Sequence, residues 1–170
     1  MAVRILEIKR ESCPAARLIG KKYENDVNWG EWWENDWFAA LEANQSLSFN
    51  GDAYMGGVHI VNGTPERWIG MLFPVGTEVP EGFEYADIEA MDYAVCYLYG
   101  KEGGGEFYSM DTHKMCLEAL KAHDLKRKED DWCFERYNCP RFTTPDEKGN
   151  IILDYAISIE GRAVEQNAVF

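Results

Sequence analysis

Apolar and polar positions along this chain follow two periods, and the periods recur twice in the same order. The first pass opens with "CPAARLIGKKYEN", a strand ending in Gly-Lys. A helical pattern follows over 30–44, "GEWWENDWFAALEAN", and then two strands, "YMGGVHIV" at 54–61 and "RWIGMLFPV" at 67–75, joined through "NGTPE" as a hairpin. The second pass opens with "FEYADIEAMDYAVCYLYGKEGGG", a bent long strand or strand pair that also ends in Gly-Lys. A helix over 106–124 follows, then strands at 132–138 and 150–160, joined across "CPRFTTPDEKG". Both passes read strand–helix–strand–strand.

A duplicated unit of this kind predicts an α+β fold: one antiparallel sheet, two main helices on one face, and a cleft between the halves. Such clefts are frequent ligand sites. The expected organisation is a single domain over residues 1–160, with 161–170 as a C-terminal tail.

Two segments carry candidate chemistry. In "WCFERYNCPRF" the strand period puts Cys133, Glu135 and Tyr137 on one face, with Trp132, Phe134 and Arg136 on the other. A carboxylate in mid-strand is costly when buried without a partner, so Glu135 is expected to line a concave site. In the first helix, Trp29, Trp33 and Trp37 recur every four residues and continue to Leu41. Asn28 stands three residues before Glu31, a start signal. Such a stripe ordinarily faces the core, but four tryptophans in nine residues exceed what one face buries. At least one of Trp29, Trp32, Trp33 and Trp37 is expected to reach the cleft of Glu135. On the second helix His113 falls on the stripe of Met110, Leu117 and Leu120, as a core or rim residue.

Composition narrows the chemistry. Aromatic residues make up 14% of the chain, including six Trp and nine Tyr, which suits a cavity with aromatic walls. The net charge of −13 repels phosphate backbones and attracts cations, so no direct nucleic-acid partner is expected. The five cysteines form no CxxC pair and the three histidines are scattered, so neither a metal site, a cofactor nor a disulfide is expected. "MAVRILEIKRES" lacks the apolar core of a signal peptide, and no apolar run is long enough to span a membrane. The expectation is a cytoplasmic protein with reduced thiols.

With this layout, "RWIGMLFPVGTEVPEGFEYADIEAMDYAVCYLYG" and "WCFERYNCPRFTTPDEKGNIILDYAISIE" resemble the GyrI-like small-molecule-binding domains, relatives of the effector-binding domains of AraC-type and MerR-type regulators. The resemblance runs from about Cys13 to Glu160. It implies a multidrug-binding cleft for bulky, flat, often cationic xenobiotics, with a central glutamate that maps onto Glu135. Trp29, Trp33, Trp37 and Tyr137 would be its ligand-binding companions. The chain shows no helix-turn-helix, so a freestanding domain is expected. Freestanding members of the family include hydrolases that open cyclopropane-bearing genotoxic compounds. By that resemblance Glu135 would be catalytic, with Tyr137 or Tyr155 supplying a hydroxyl. A third alternative is a protein partner, bound through the acidic surface in the manner of a gyrase inhibitor. Binding and catalysis by Glu135 are both open at this level.

Overall fold

The computed structural model describes residues 3–43, 53–103 and 105–161. Eight strands form one antiparallel sheet: β1 (Arg4–Cys13), β2 (Ala16–Tyr23), β3 (Tyr54–Val61), β4 (Thr64–Pro74), β5 (Glu84–Ile88), β6 (Met91–Lys101), β7 (Cys133–Tyr137) and β8 (Asn150–Ile159). Among the described residues three α-helices join them: α1 (Trp29–Glu34), α2 (Trp37–Glu42) and α3 (Met110–Ala122). The fold is α+β, as expected.

The strand order is β1-β6-β8-β7-β3-β4-β2-β5. Read from the middle, each half repeats the other: β3-β4-β2 with α1 and α2 in one, β7-β8-β6 with α3 in the other. The seam is the antiparallel pair β3–β7, where Tyr54 faces Tyr137, Gly56 faces Glu135 and Val58 faces Cys133. The outer strands form one long ribbon. Cys13 lies opposite Met91 and Ala16 opposite Ile88, so β1–β2 and β5–β6 run past their interruptions without a slip in register. The predicted bent strand is therefore β5 and β6. The opening segment, to which the pattern assigned no element, supplies β1.

The predicted helix over 30–44 is two short helices. Asn28 caps the first, its side chain accepting from the Glu31 N–H at 3.2 Å. The chain then breaks at Asn35–Asp36, with Asp36 in the left-handed region at φ 53°. Packing explains the break. Trp32, Phe38 and Leu41 are all buried against β2 and β4. Trp32 and Phe38, six residues apart, fall on different sides of one continuous helix, and the break brings both onto the sheet. Asn44 lies outside the described residues, as does the tail beyond Gly161.

The helices cover one face through two cores. Ile19, Ile69, Met71 and Phe73 pack under α1 and α2. Cys96, Leu98, Leu153 and Ile157 pack under α3 with Cys116 and Leu120. The other face carries its own core, built on Leu18, Met55, Leu72, Val95, Trp132 and Phe134. That face also holds an ionic network. Asp154, fully buried, accepts from Arg136 Nε at 2.8 Å, from Arg141 Nε at 2.8 Å and from Asn138 at 2.8 Å. Arg136 also donates to both carboxylate oxygens of Glu11, at 3.1 and 3.0 Å. The arginines hold Asp154 below the usual carboxylate range even though burial pushes it up, and Arg136 does the same for Glu11.

Candidate functional site

A cleft of about 790 Å³ opens on the helix-bearing face, over the seam between the halves. Its floor is a row across three strands. Gly56 on β3 faces Glu135 on β7, and Glu135 faces Tyr155 on β8. Strand alternation sets Cys133 and Tyr137 on the same side of β7 as Glu135, and all three line the cleft.

Both halves supply aromatic walls. From the first come Trp29, Trp33 and Tyr54, and from the second Tyr108, Tyr137, Phe142 and Tyr155. The rings brace one another. Tyr54 stacks on buried Phe38 with centroids 3.8 Å apart, and Trp33 leans on the same Phe38 at 5.2 Å. Trp29 meets Tyr137 edge-on at 5.2 Å across the seam, and Phe142 meets Tyr137 at 4.7 Å. Trp33 is 57% exposed.

Glu135 is the acid on this floor. The Tyr137 hydroxyl donates to its Oε1 at 2.7 Å. Among the described residues no lysine, arginine or histidine forms an ion pair with it. Burial pushes its carboxyl up from the usual range, and the Tyr137 hydrogen bond offsets part of that rise. Burial and the neighbouring carboxylate push the Tyr137 hydroxyl far upward, so it stays protonated and serves as a donor. Charge elsewhere in the lining is mixed, with Asp26 and Arg67 both present.

Tyr155 has a separate partner: its hydroxyl and His113 Nδ1 share a hydrogen bond of 2.7 Å. Burial and Arg127 lower the His113 pKa, which favours the neutral imidazole. His113 is half-buried, as its place on the α3 stripe suggested. Burial also raises the Cys133 thiol to about 11. All five cysteines are free thiols. Among the described residues no cluster of His, Cys, Asp and Glu is suited to a metal ion, and no helix is long and apolar enough to cross a membrane.

Of the residues singled out from the sequence, Trp29, Trp33, Glu135, Tyr137 and Tyr155 lie in this one cleft. Trp37 does not. The break after α1 turns it away, so that it packs edge-on against Trp32 at 5.5 Å with the Lys21 ammonium 4.4 Å above its ring. The period of four that grouped it with Trp29 and Trp33 assumed one unbroken helix. Trp32 is fully buried. The sequence reading passed over Tyr54, Tyr108, Phe142 and Gly56. Of these only Gly56 left a signal, as half of a glycine pair in mid-strand, where close approach of another group is a common cause.

No protein-family model matches the chain, and no curated protein matches it in sequence. Solved structures do match. A structure of SAV2435 bound to tetraphenylphosphonium is 14% identical, with a TM-score of 0.61 over 92% of this chain and 95% of that one. The C-terminal domain of EcmrR is 8% identical, with a TM-score of 0.59 over 92% and 98%. A hydrolase from Listeria innocua is 7% identical, with a TM-score of 0.53 over 91% and 92%. At these identities the likeness establishes the fold.

Proposed function

From a chain with the GyrI-like effector-binding fold, we propose a small-molecule receptor whose ligand is a bulky, aromatic, cationic xenobiotic, captured in the cytoplasm. The observation that carries this reading is Glu135, an acid without a cationic partner among the described residues, set on the floor of an aromatic cleft. A cation seated there gains Coulomb attraction from the carboxylate and quadrupole attraction from the rings of Trp29, Tyr54 and Tyr137. A volume of about 790 Å³ falls in the range of drug-sized ligand sites. The tetraphenylphosphonium held by SAV2435 is a ligand of this class.

The experiment is calorimetric titration of wild type and Glu135→Gln with tetraphenylphosphonium and with neutral triphenylphosphine oxide. The substitution keeps volume and removes charge. Affinity for the cation is expected to fall about ten- to a hundredfold, and affinity for the neutral compound by less than about threefold. Equal losses for the two probes, or no binding of the cation by wild type, would sink the reading.

A second reading is hydrolysis, favoured by the hydrogen bond from Tyr137 to Glu135 and the Tyr155 hydroxyl on the same floor. A carboxyl raised by burial suits general acid–base work on a strained ring. Here Glu135→Gln leaves the affinity for a neutral cyclopropane substrate nearly unchanged and lowers turnover by about two decades or more. Absence of wild-type turnover on cyclopropane substrates counts against it.

A further inference from the structure

Gly56 and Gly57 sit together in the middle of β3, where glycine weakens a strand. Neither has a positive φ, so the backbone conformation does not demand glycine at either position. Space does. A Cβ built on Gly56 falls 2.8 Å from Glu135 Oε1 and 3.4 Å from Trp29 Cζ2. A Cβ on Gly57 points to the opposite face and meets Phe134 Cε1 at 2.9 Å and Trp132 Cζ3 at 3.2 Å. The two glycines thus relieve crowding on two different faces, and only Gly56 concerns the cleft.

We propose that Gly56 is a positioning residue: its missing side chain forms a notch into which the Glu135 carboxylate leans, and the notch sets the cation preference of the cleft. Directly across the seam, Glu135 uses the vacant Cβ space to lie over β3 in place of extending toward solvent. In that pose it receives the Tyr137 hydroxyl and lies beside the edge-on contact of Trp29 and Tyr137. With a methyl group in the notch, the flexible carboxylate is what moves, because Trp29 stands at ordinary contact distance. The acid then swings toward water, loses its aromatic surround and becomes an ordinary exposed glutamate. The consequence for the ligand rests on the cation-binding reading above, but the pose of Glu135 does not.

The test is Gly56→Ala, with Gly57→Ala as the control on the other face. The Glu135 carboxyl is titrated by ¹³C NMR in the ligand-free proteins, and tetraphenylphosphonium and triphenylphosphine oxide are titrated by calorimetry. Gly56→Ala is expected to bring the Glu135 pKa down toward the ordinary range. It is also expected to reduce the preference for the cation by about tenfold, with the neutral compound changed less than about threefold. Gly57→Ala should leave the Glu135 pKa raised. A raised Glu135 pKa in Gly56→Ala overturns the proposal. If the pKa falls but wild type shows no preference for the cation, the notch stands and the binding reading is lost. Should Gly56→Ala fail to fold, Gly56→Ala/Glu135→Ala decides the matter by its Tm. Recovery to at least the Tm of Glu135→Ala supports crowding between the two residues. A double variant as unstable as Gly56→Ala overturns it.

Discussion

Two carboxylates on neighbouring strands receive opposite treatment. Asp154 on β8 faces the side without helices, fully buried, and is held by Arg136, Arg141 and Asn138. Glu135 on β7 faces the helix side and receives one hydroxyl, from Tyr137, with no ion pair among the described residues. The pKa directions diverge accordingly: Asp154 is lowered by its arginines and Glu135 is raised by burial. Arg136 adjoins Glu135 in sequence, yet strand alternation sends it to the opposite face. The difference separates an acid that ties strands together from one that no cation meets among the described residues, the charge that the proposed reading leaves for a ligand.

The sharpest way to break this contrast is Asp154→Ala. Removing Asp154 from a buried ionic network takes one of two acids from Arg136 and the paired acid from Arg141, and unfolding free energy should fall by about 3–5 kcal/mol in urea titrations. The sign with pH follows from the lowered pKa. The contribution of Asp154 is present above its unfolded pKa and lost as pH falls through the folded value, so wild type and variant converge in acid. A loss under about 1 kcal/mol would place Asp154 with the ordinary surface acids.

Glu135→Gln should do the reverse to stability. A carboxyl with a raised folded pKa favours the fold below its unfolded pKa, and that advantage is lost as pH rises through the folded value. At neutral pH the variant is therefore expected to melt higher than wild type, by ~2–4 °C, with the gap closing toward pH 4 in calorimetric scans. A marked drop in Tm at neutral pH would make Glu135 structural and erase the contrast. The same pKa direction predicts that cation affinity weakens as pH falls and Glu135 protonates, a trend absent in Glu135→Gln.

Smaller effects sharpen the map of the cleft. Trp33→Ala removes an exposed wall ring and should weaken tetraphenylphosphonium about two- to tenfold by calorimetry. Trp37→Phe should leave that affinity within about twofold. Its ring packs on Trp32 under Lys21, away from the cleft, so a larger loss would return it to the site.

Much of this architecture is legible in linear patterns. The span of β3 coincides with "YMGGVHIV", and the placing of Cys133, Glu135 and Tyr137 on one face of β7 follows from a period of two. The start of α1 is written in Asn28 and Glu31. Where the reading failed, a long-range contact overruled a local one. One continuous helix over 30–44 satisfies local periodicity, but three bulky side chains, Trp32, Phe38 and Leu41, must all reach β2 and β4. The break at Asp36 that allows this also removes Trp37 from the cleft. β1 passed unseen because "RILEIKRESC" is half-exposed at the sheet edge and lacks clean alternation.

Local order and facing of side chains were therefore settled by short-range periodicity and steric preference, which any stretch of the chain carries within itself. Three further things were decided only by folding. Gly56, Glu135 and Tyr155 lie up to 99 residues apart in number and meet as one row because β3, β7 and β8 pair in a particular register. The partners of each acid followed, since Glu11 reaches Arg136 from 125 positions away and no local rule joins them. The roles of the tyrosines were parted last, Tyr137 to Glu135 and Tyr155 to His113. Register and sheet curvature balance the whole chain's buried area and hydrogen bonds at once, and neither quantity is a property of any segment alone.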